Sequence, residues 1–321
     1  MISSHLTEIL GIDHPLLLAP MAGVAGSSLA EAVSSAGGFG IVGAGYGDRP
    51  WLQNQLEGVN CSSIGIGFIT WRLQQQPNLL NVALDFGAKA IFLSFGELTR
   101  FAPVIVASKS LFIVQVQSLE DAKNAAELGA DIIVAQGTEA GGHGGSRATF
   151  PLVPAVVDAL DPLPVVAAGG IADGRGLAAA LMLGAAGVVM GTRFYCTQES
   201  LAPEQAKQRA LKARGDDTVR SSVFDVLREY DWPAPYNLRT LRNRMTDQYA
   251  DKLDELYGDK KTQILRFESA TAARDYELAA IIAGEALDLV NDVPPAADIV
   301  RRVVADALAA LRQPTNFRVN I

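Results

Sequence analysis

Cysteine and histidine are scarce in this sequence of 321 residues, which contains two of the first and three of the second. Cys61 and Cys196 form no Cys-x-x-Cys pair, and the three histidines are too scattered to supply the several nitrogen and sulfur ligands of a zinc site. We therefore expect neither a disulfide framework nor a metal centre. Because no basic stretch leads into a long apolar run at the start, we expect a cytoplasmic protein in a reducing compartment.

Positive charge is also in short supply, since the formal net charge is −8. Such a chain lacks the basic surface that binds DNA, RNA or an anionic membrane. An uncharged run of 17 residues between Arg175 and Arg193 is short for a membrane-spanning helix and is interrupted by Gly184 and Gly187. A helix, a turn and a strand explain this run better. We therefore expect neither nucleic acid nor a membrane among the partners.

Short apolar runs alternate along the chain with Ala-rich stretches that end in glycine. Eight runs begin near Pro15, Phe39, Ile64, Ala90, Leu111, Asp131, Pro164 and Gly187. Successive runs start 20 to 33 residues apart, which is the length that a strand, its crossover helix and two loops require. The pattern predicts an α/β fold, a (β/α)8 TIM barrel. An open doubly wound sheet, which would use fewer of the runs, is the alternative.

Charged side chains are concentrated after the eighth run. Residues 201–290 carry 14 basic and 16 acidic residues, whereas residues 1–198 carry only 9 and 15. We therefore expect a barrel over residues 1–200 and a helical, loop-rich insertion or lid over 201–290. Apolar residues at helical spacing after Pro294-Pro295 predict, within 291–321, a C-terminal helix that packs back on the barrel.

Two glycine turns follow the seventh and eighth runs, where TIM barrels often bind a phosphate. Gly169-Gly170 opens a helix after PVVAA, and Gly191-Thr192 follows GVVM. Glycine lets the backbone approach an anion closely, Thr192 offers a hydroxyl group, and Arg193 adds positive charge. Either motif alone is equally well explained as a tight turn. Their occurrence together at adjacent strand ends favours a phosphate site.

The longest gap follows the sixth run and contains a glycine-rich segment around one histidine, AQGTEAGGHGGSR at 135–147. Its small side chains let a flat ligand lie on the backbone within reach of His143, whose imidazole suits proton transfer near neutral pH. A single histidine is more often structural, but a position at a barrel strand end favours catalysis. Glu139 and Asp173 are a conceivable glycosidase pair, although Asp173 is better explained as a helix N-cap.

Together these motifs resemble the nitronate monooxygenase family, formerly called the 2-nitropropane dioxygenases, over nearly the whole chain. The resemblance is carried by PLLLAPMAGVAG (15–26), IGIGF (64–68), AQGTEAGGHGG (135–145), PVVAAGGIADGRG (164–176) and GAAGVVMGTRF (184–194), and less specifically by DTVRSSVFD (217–225) and PAADIVRRVVADALAALR (295–312). It implies a TIM barrel that binds FMN across its strand ends.

The resemblance also implies roles for individual positions, with His143 as the catalytic residue. The positions that it places against FMN are Met21, Ala22, Gly23, Gly67, Gln136, Gly141, Gly142, Ala168, Gly169, Gly170, Gly191 and Thr192. Family members often have an asparagine that touches the flavin where this chain has Gly67, so the resemblance implies that one side-chain contact is missing here. Trp71 is expected either to line the pocket or to pack on the insertion.

The activity implied by the resemblance is the oxidation of an alkyl nitronate, or of a nitroalkane deprotonated by His143, by O2 to a carbonyl compound and nitrite. The partners are then a small-molecule substrate and O2, with homo-oligomer formation left open. Two alternatives also stay open: an NAD(P)H-dependent flavin reductase of a quinone or an enoyl thioester, and a non-catalytic flavin- or phosphate-binding barrel. IMP dehydrogenases have similar phosphate turns but need a loop cysteine, which is absent from 135–147.

Overall fold

The structure is a computed structural model that describes residues 2–312. Its strands are β1 Leu16–Leu18, β2 Gly40–Gly43, β3 Ile64–Ile69, β4 Ala90–Ser94, β5 Leu111–Val116, β6 Ile132–Gln136, β7 Gly142–Gly144, β8 Val165–Ala168, β9 Gly187–Met190, β10 Thr218–Ser221 and β11 Asn237–Leu241. Eight of them form one parallel sheet in the order β1-β9-β8-β6-β5-β4-β3-β2. A parallel bridge between Leu17 and Phe39 joins the two ends of this sheet. The predicted TIM barrel is therefore confirmed, and each barrel strand begins within one residue of a predicted run.

Helices follow most of the barrel strands and also make up much of the remaining chain. The α-helices are α1 His5–Leu10, α2 Ser27–Ser35, α3 Arg49–Leu56, α4 Thr70–Leu73, α5 Asn78–Asp85, α6 Ala102–Val106, α7 Leu119–Glu127, α8 Thr149–Leu160, α9 Gly174–Met182, α10 Thr192–Tyr195, α11 Glu204–Ala210, α12 Val223–Leu227, α13 Arg244–Tyr249, α14 Leu253–Gly258, α15 Lys260–Ala273 and α16 Ala296–Arg312. Short 3-10 helices span Cys61–Ser63, Gly215–Asp217 and Glu285–Leu289.

The barrel strands are buried on both faces. Leu17, Phe39 and Phe92 pack inside the barrel, whereas Leu16 and Leu18 pack between the strands and the surrounding helices. Parallel strands covered on both sides read as continuous apolar runs, which is why the sequence pattern located them so closely. The ends of these rigid strands then fix the positions of the loops that carry the candidate site.

The segment after the barrel is tied to the loop that follows β6. Strand β11 pairs antiparallel with β10 on one side and with β7 on the other, so the three strands form one sheet. The C-terminal helix α16 packs against α9 and α2. The predicted end of that unit, residues 313–321, lies outside the described residues. The division into 1–200, 201–290 and 291–321 stays a prediction.

The uncharged run between Arg175 and Arg193 folds as the predicted helix, turn and strand. It consists of most of α9, a turn in which Gly184 has a φ of +89°, and β9. Over residues 2–312, no helix is both long enough and apolar enough for a bilayer crossing. The same residues contain no cluster of three or more histidine, cysteine or acidic side chains arranged to hold a metal ion.

Candidate active site

A cavity of about 210 Å³ opens at the carboxyl ends of the barrel strands. A cavity of about 10–15 Å³, measured in the same way, holds one water molecule, so this cavity has room for a ligand of many atoms. The predicted site residues that line it are Met21, Ala22, Gln136, Gly141, Gly142, His143, Ala168, Gly169, Gly170, Gly191 and Thr192. These residues come from four separate segments of the sequence, and the barrel brings them together in one place.

Two predicted flavin contacts, Gly23 and Gly67, are not among the residues that line the cavity. Gly23 is exposed in a turn with a φ of +69°. Gly67 lies within β3, and a Cβ atom there would be only 2.2 Å from the Cβ of Pro20, which itself lines the cavity. Pro20 therefore fills the space that an asparagine at position 67 would need.

The two glycine turns carry unpaired peptide N–H groups. Within residues 2–312, the N–H groups of Gly170, Ile171, Gly191 and Thr192 have no hydrogen-bond acceptor, and all four residues line the cavity. The Thr192 hydroxyl oxygen accepts a bond of 2.9 Å from the N–H of Gly284, so its own hydrogen stays available. Unpaired amides of this kind form an anion-binding cradle.

Arg193 does not belong to this cradle. Its guanidinium group is buried and pairs with Asp292, to whose backbone oxygen it also donates a bond of 3.1 Å. Arg193 is also absent from the cavity lining. The expectation that Arg193 adds charge to the phosphate site is therefore wrong, because the side chain points to a structural ion pair instead.

Polar amides line the barrel end of the cavity. The side chain of Gln117 donates a hydrogen bond of 2.8 Å from Nε2 to Oε1 of Gln136. This bond orients the Gln136 amide and leaves its NH2 group as the free donor. Gln115 and Ser94 line the cavity beside Gln136. These groups offer hydrogen bonds to a polar edge of a ring, while Ala168 and Val189 offer apolar contact.

His143 is held in a defined position by the short strand β7, where it pairs with Leu238 of β11. Its Nε2 lies 2.9 and 3.1 Å from the two carboxylate oxygens of Asp225. A carboxylate can only accept, so the hydrogen is on Nε2 and Nδ1 carries the lone pair. Among the described residues Nδ1 has no hydrogen-bond partner, and it is not sealed in the interior. Nδ1 is thus the basic atom that can face a ligand.

The environment keeps the His143 imidazole neutral. Burial is the largest effect and lowers the pKa of His143, because the charged form loses its hydration. The hydrogen bond and negative charge of Asp225 act in the opposite direction, and the charges of Arg228 and Arg220 lower the pKa further. The net direction is downward, so a free base is available at neutral pH.

Asp225 and Arg228 were not predicted as site residues. They lie on and just after α12, and Arg228 donates a bond of 2.9 Å from Nη2 to Oδ1 of Asp225. Asp225 is 82 residues from His143 in the sequence, so only the pairing of β7 with β11 brings the two together. The signal that pointed to this region was the resemblance of DTVRSSVFD, which carried no residue roles.

Aromatic side chains pack around the His143 imidazole. The Trp232 indole stacks on the imidazole with ring centroids 3.3 Å apart and an angle of 10°. Phe95 and Trp71 meet the edge of Trp232 at 5.2 and 5.4 Å, and Tyr46 does so at 6.3 Å. Trp71 packs on the insertion and is not among the cavity-lining residues, so the second of its two predicted placements is the observed one.

Glu139 and Asp173 do not form a catalytic pair. Asp173 caps α9, where its side chain accepts bonds from the N–H groups of Arg175 and Gly176, as predicted. Glu139 lines the cavity, but its carboxylate accepts bonds from the backbone N–H and hydroxyl of Thr149. The cavity lining includes Glu139 and not Asp173, which leaves no support for a glycosidase.

The chain is similar to known proteins over most of its length. A family model described as nitronate monooxygenase matches residues 3–65 and 66–306. A nitronate monooxygenase of Neurospora crassa is 32% identical, with 94% of this chain and 91% of the relative covered. A (3aS,4S,5R,7aS)-5-hydroxy-7a-methyl-1-oxo-octahydro-1H-indene-4-carboxyl-CoA dehydrogenase of Mycobacterium tuberculosis is also 32% identical, with 96% of each covered.

Two solved structures resemble the whole fold. FabK from Thermotoga maritima superposes with a TM-score of 0.83 at 29% identity, covering 97% of this chain and 98% of that chain. A nitroalkane oxidase from Streptomyces ansochromogenes superposes with a TM-score of 0.79 at 27% identity, covering 96% and 99%. The similarity therefore extends over the barrel and the segment that follows it.

Proposed function

This chain belongs to the nitronate monooxygenase family, and from that premise we propose that it oxidises alkyl nitronates with O2 to a carbonyl compound and nitrite. The observation that carries the proposal is the buried His143 base, held by Asp225 at the edge of a cavity with an anion-binding cradle. A neutral nitroalkane needs a base for its acidic C–H, and its nitronate needs an electron acceptor. His143 offers the base, and the cradle suits the phosphate of a cofactor that would accept the electrons.

We propose FMN as the cofactor of this cavity. The unpaired N–H groups at Gly170, Ile171, Gly191 and Thr192 fit a phosphate, and the apolar floor with its free Gln136 amide fits a flat ring with a polar edge. When bound, FMN accepts electrons from the substrate and passes them to O2. The chain itself supplies placement, a base and shelter from water.

His143 is proposed to take the proton of a neutral nitroalkane at Nδ1. The imidazolium that forms is stabilised by Asp225, which already accepts the Nε2 hydrogen. Arg228 donates a second hydrogen bond to Oδ1 of the same carboxylate and helps to fix its position. A preformed nitronate has already lost this proton, so its oxidation does not depend on the base in the same way.

Residues 201–290 are proposed to act as the lid of the site. They contribute Asp225 next to the imidazole and Trp232 over its face. Gly141 and Gly284 let the lid approach the β6 loop closely, because a Cβ on Gly141 would be 2.6 Å from the Gly284 nitrogen. Removing water from the cavity strengthens every polar interaction inside it.

Replacing Asp225 with alanine or asparagine is expected to lower kcat/KM for nitroethane about 10- to 100-fold, because the imidazole loses its orientation and its countercharge. The same change should move the acid limb of the pH profile to lower pH. The base works when deprotonated, and the bond and charge of Asp225 raise the pKa of His143, so removing them lowers that pKa further. Measuring kcat/KM for nitroethane as a function of pH, in the wild type and in the variant, checks both effects. A limb that stays in place would show that Asp225 serves only structure.

Anaerobic mixing of the purified holoprotein with propionate 3-nitronate and, separately, with NADH and NADPH tests the proposed function. We expect the nitronate to bleach the flavin absorbance, with nitrite and a carbonyl compound appearing once O2 is admitted. NADH and NADPH test the alternative of a flavin reductase, in which a pyridine nucleotide reduces the flavin. Rapid bleaching by NADH or NADPH, with none by the nitronate, would reject the monooxygenase proposal in favour of a flavin reductase.

A further inference from the structure

The Arg228 side chain has hydrogen-bond donors that its structural bonds do not use. Its Nε donates a bond of 2.9 Å to the backbone oxygen of Phe224, and its Nη2 donates a bond of 2.9 Å to Asp225. Within residues 2–312, Nη1 has no acceptor, and it is not sealed in the interior. The side chain is 19% exposed and lines the cavity. Both N–H donors of Nη1, on a fixed cation, are therefore left free.

The cavity has little charge other than that of Arg228. Among the described residues that line it, Arg228 is the one lysine or arginine, and Glu139 is the one carboxylate. Glu139 is turned to Thr149, which satisfies its oxygens. Burial raises the pKa of Tyr46 to about 12, so the phenol beside Arg228 stays neutral. Asp225, which is only 5% exposed, pairs with Nη2 of Arg228 and so offsets part of its positive charge.

Aromatic rings hold the guanidinium group in place. Its carbon lies 5.3 Å from the ring centroid of Tyr230 and 5.9 Å from that of Tyr46, within the range of cation–π attraction. Tyr46 and Tyr230 stack on each other with centroids 3.9 Å apart. Together with two bonds to α12, these rings restrict Arg228 to one position, so little ordering is left to do when a ligand binds.

We propose that Arg228 binds the planar, two-oxygen anionic group of the substrate and so selects anionic substrates. The group is either the nitronate itself or a carboxylate on the same molecule, and this inference rests on the proposed function. A guanidinium group presents flat N–H donors that match such an anion. Arg228 and His143 are bonded to the same carboxylate of Asp225 and both line the cavity, so an anion bound at Nη1 shares that cavity with the imidazole.

Nitrate, a planar anion with no carbon, tests the binding step without turnover. Calorimetric titration of the holoprotein with sodium nitrate, against sodium chloride at equal ionic strength, should show binding that Arg228→Gln weakens about 10- to 100-fold. Arg228→Lys keeps the positive charge but loses the planar arrangement of N–H donors, so its nitrate affinity should lie between those of the wild type and Arg228→Gln. Arg242→Gln, at a pair that is about half exposed, is the matched control and should bind as the wild type does. Equal nitrate affinity in wild type and Arg228→Gln would overturn the inference.

Steady-state kinetics then identify which anion Arg228 binds. A KM raised about 10-fold or more in Arg228→Gln for both ethyl nitronate and propionate 3-nitronate assigns Arg228 to the nitronate group. A KM raised for propionate 3-nitronate alone assigns it to the carboxylate. Unchanged KM values for both, with a normal melting temperature, overturn the inference and leave the proposed function intact. Conversely, nitrate binding through Arg228 in a protein that oxidises no nitronate supports the anion site and rejects the proposed function.

Discussion

Replacing His143 with alanine is expected to lower kcat/KM for neutral nitroethane by about 10²- to 10⁴-fold, the range that general base catalysis supplies. The reason is that Nδ1 of His143 is the open basic atom at the cavity, kept neutral by burial and oriented by Asp225. The loss should be far smaller for ethyl nitronate added as the preformed anion, because that substrate has no C–H proton to surrender. Nitrite release at matched concentrations of the two substrates measures this ratio.

The ratio of the activity losses on the two substrates distinguishes a catalytic base from a histidine that has only a structural role. His143→Ala should keep its flavin, since the unpaired N–H groups of the cradle lie elsewhere, at Gly170, Ile171, Gly191 and Thr192. His5→Ala, on an exposed position of α1, is the matched control and should change neither rate. Equal losses on nitroethane and on preformed nitronate, with full flavin content, would contradict the role of His143 as the base. Unchanged rates on both substrates would show that His143 takes no part in the reaction.

The fold was predictable because its signal is local. Each barrel strand is a short apolar run buried on both faces, and Leu16, Leu17 and Leu18 show this within three residues. The strand ends then identify the turns at Gly169 and Gly191 as neighbours, since a closed parallel barrel places adjacent strand ends side by side. These two steps need no knowledge of side-chain packing.

The partners of His143 were not predictable in the same way. Asp225 and Trp232 lie in the insertion, and they reach His143 only because β11 pairs with the glycine strand β7. Nothing in the local sequence of DTVRSSVFD or EYDWPAPYN specifies that pairing. The wrong expectation for Arg193 has the same origin, because its partner Asp292 is 99 residues further along the chain.

Gly67 shows how packing changes the meaning of a motif position. The family resemblance implies that this position has lost a flavin contact, whereas the structure shows the ring of Pro20 in the space that a side chain would take. The glycine and the proline are therefore coupled. A residue pair such as this can be identified only when the distance between its members is known.

Replacing Gly191 with valine is expected to weaken FMN binding severely, with a dissociation constant raised about 100-fold or more, because several charge-assisted bonds to the phosphate are blocked. The backbone tolerates the change, since Gly191 has a φ of −112°. A Cβ atom there would be 3.4 Å from the Cβ of Ala19 and 3.7 Å from the sulfur of Met21, which are close to ordinary contacts. The valine methyl groups would then fill the cradle rather than disturb the barrel.

Flavin content of the purified variant, read from its visible absorbance, measures the effect directly. Thermal melting supplies a second measure, because a ligand that binds only the folded state raises the melting temperature, and a tighter ligand at the same concentration raises it further. Added FMN should raise the melting temperature of the wild type and leave that of Gly191→Val unchanged, whereas Gly258→Val, at a position with nothing within 4 Å of its Cβ, should respond as the wild type does. Riboflavin, which lacks the phosphate, should stabilise the wild type less than FMN. Full FMN binding by Gly191→Val would show that the phosphate lies away from the β9 turn, and it would separate the flavin from the anion cradle on which its proposed placement depends.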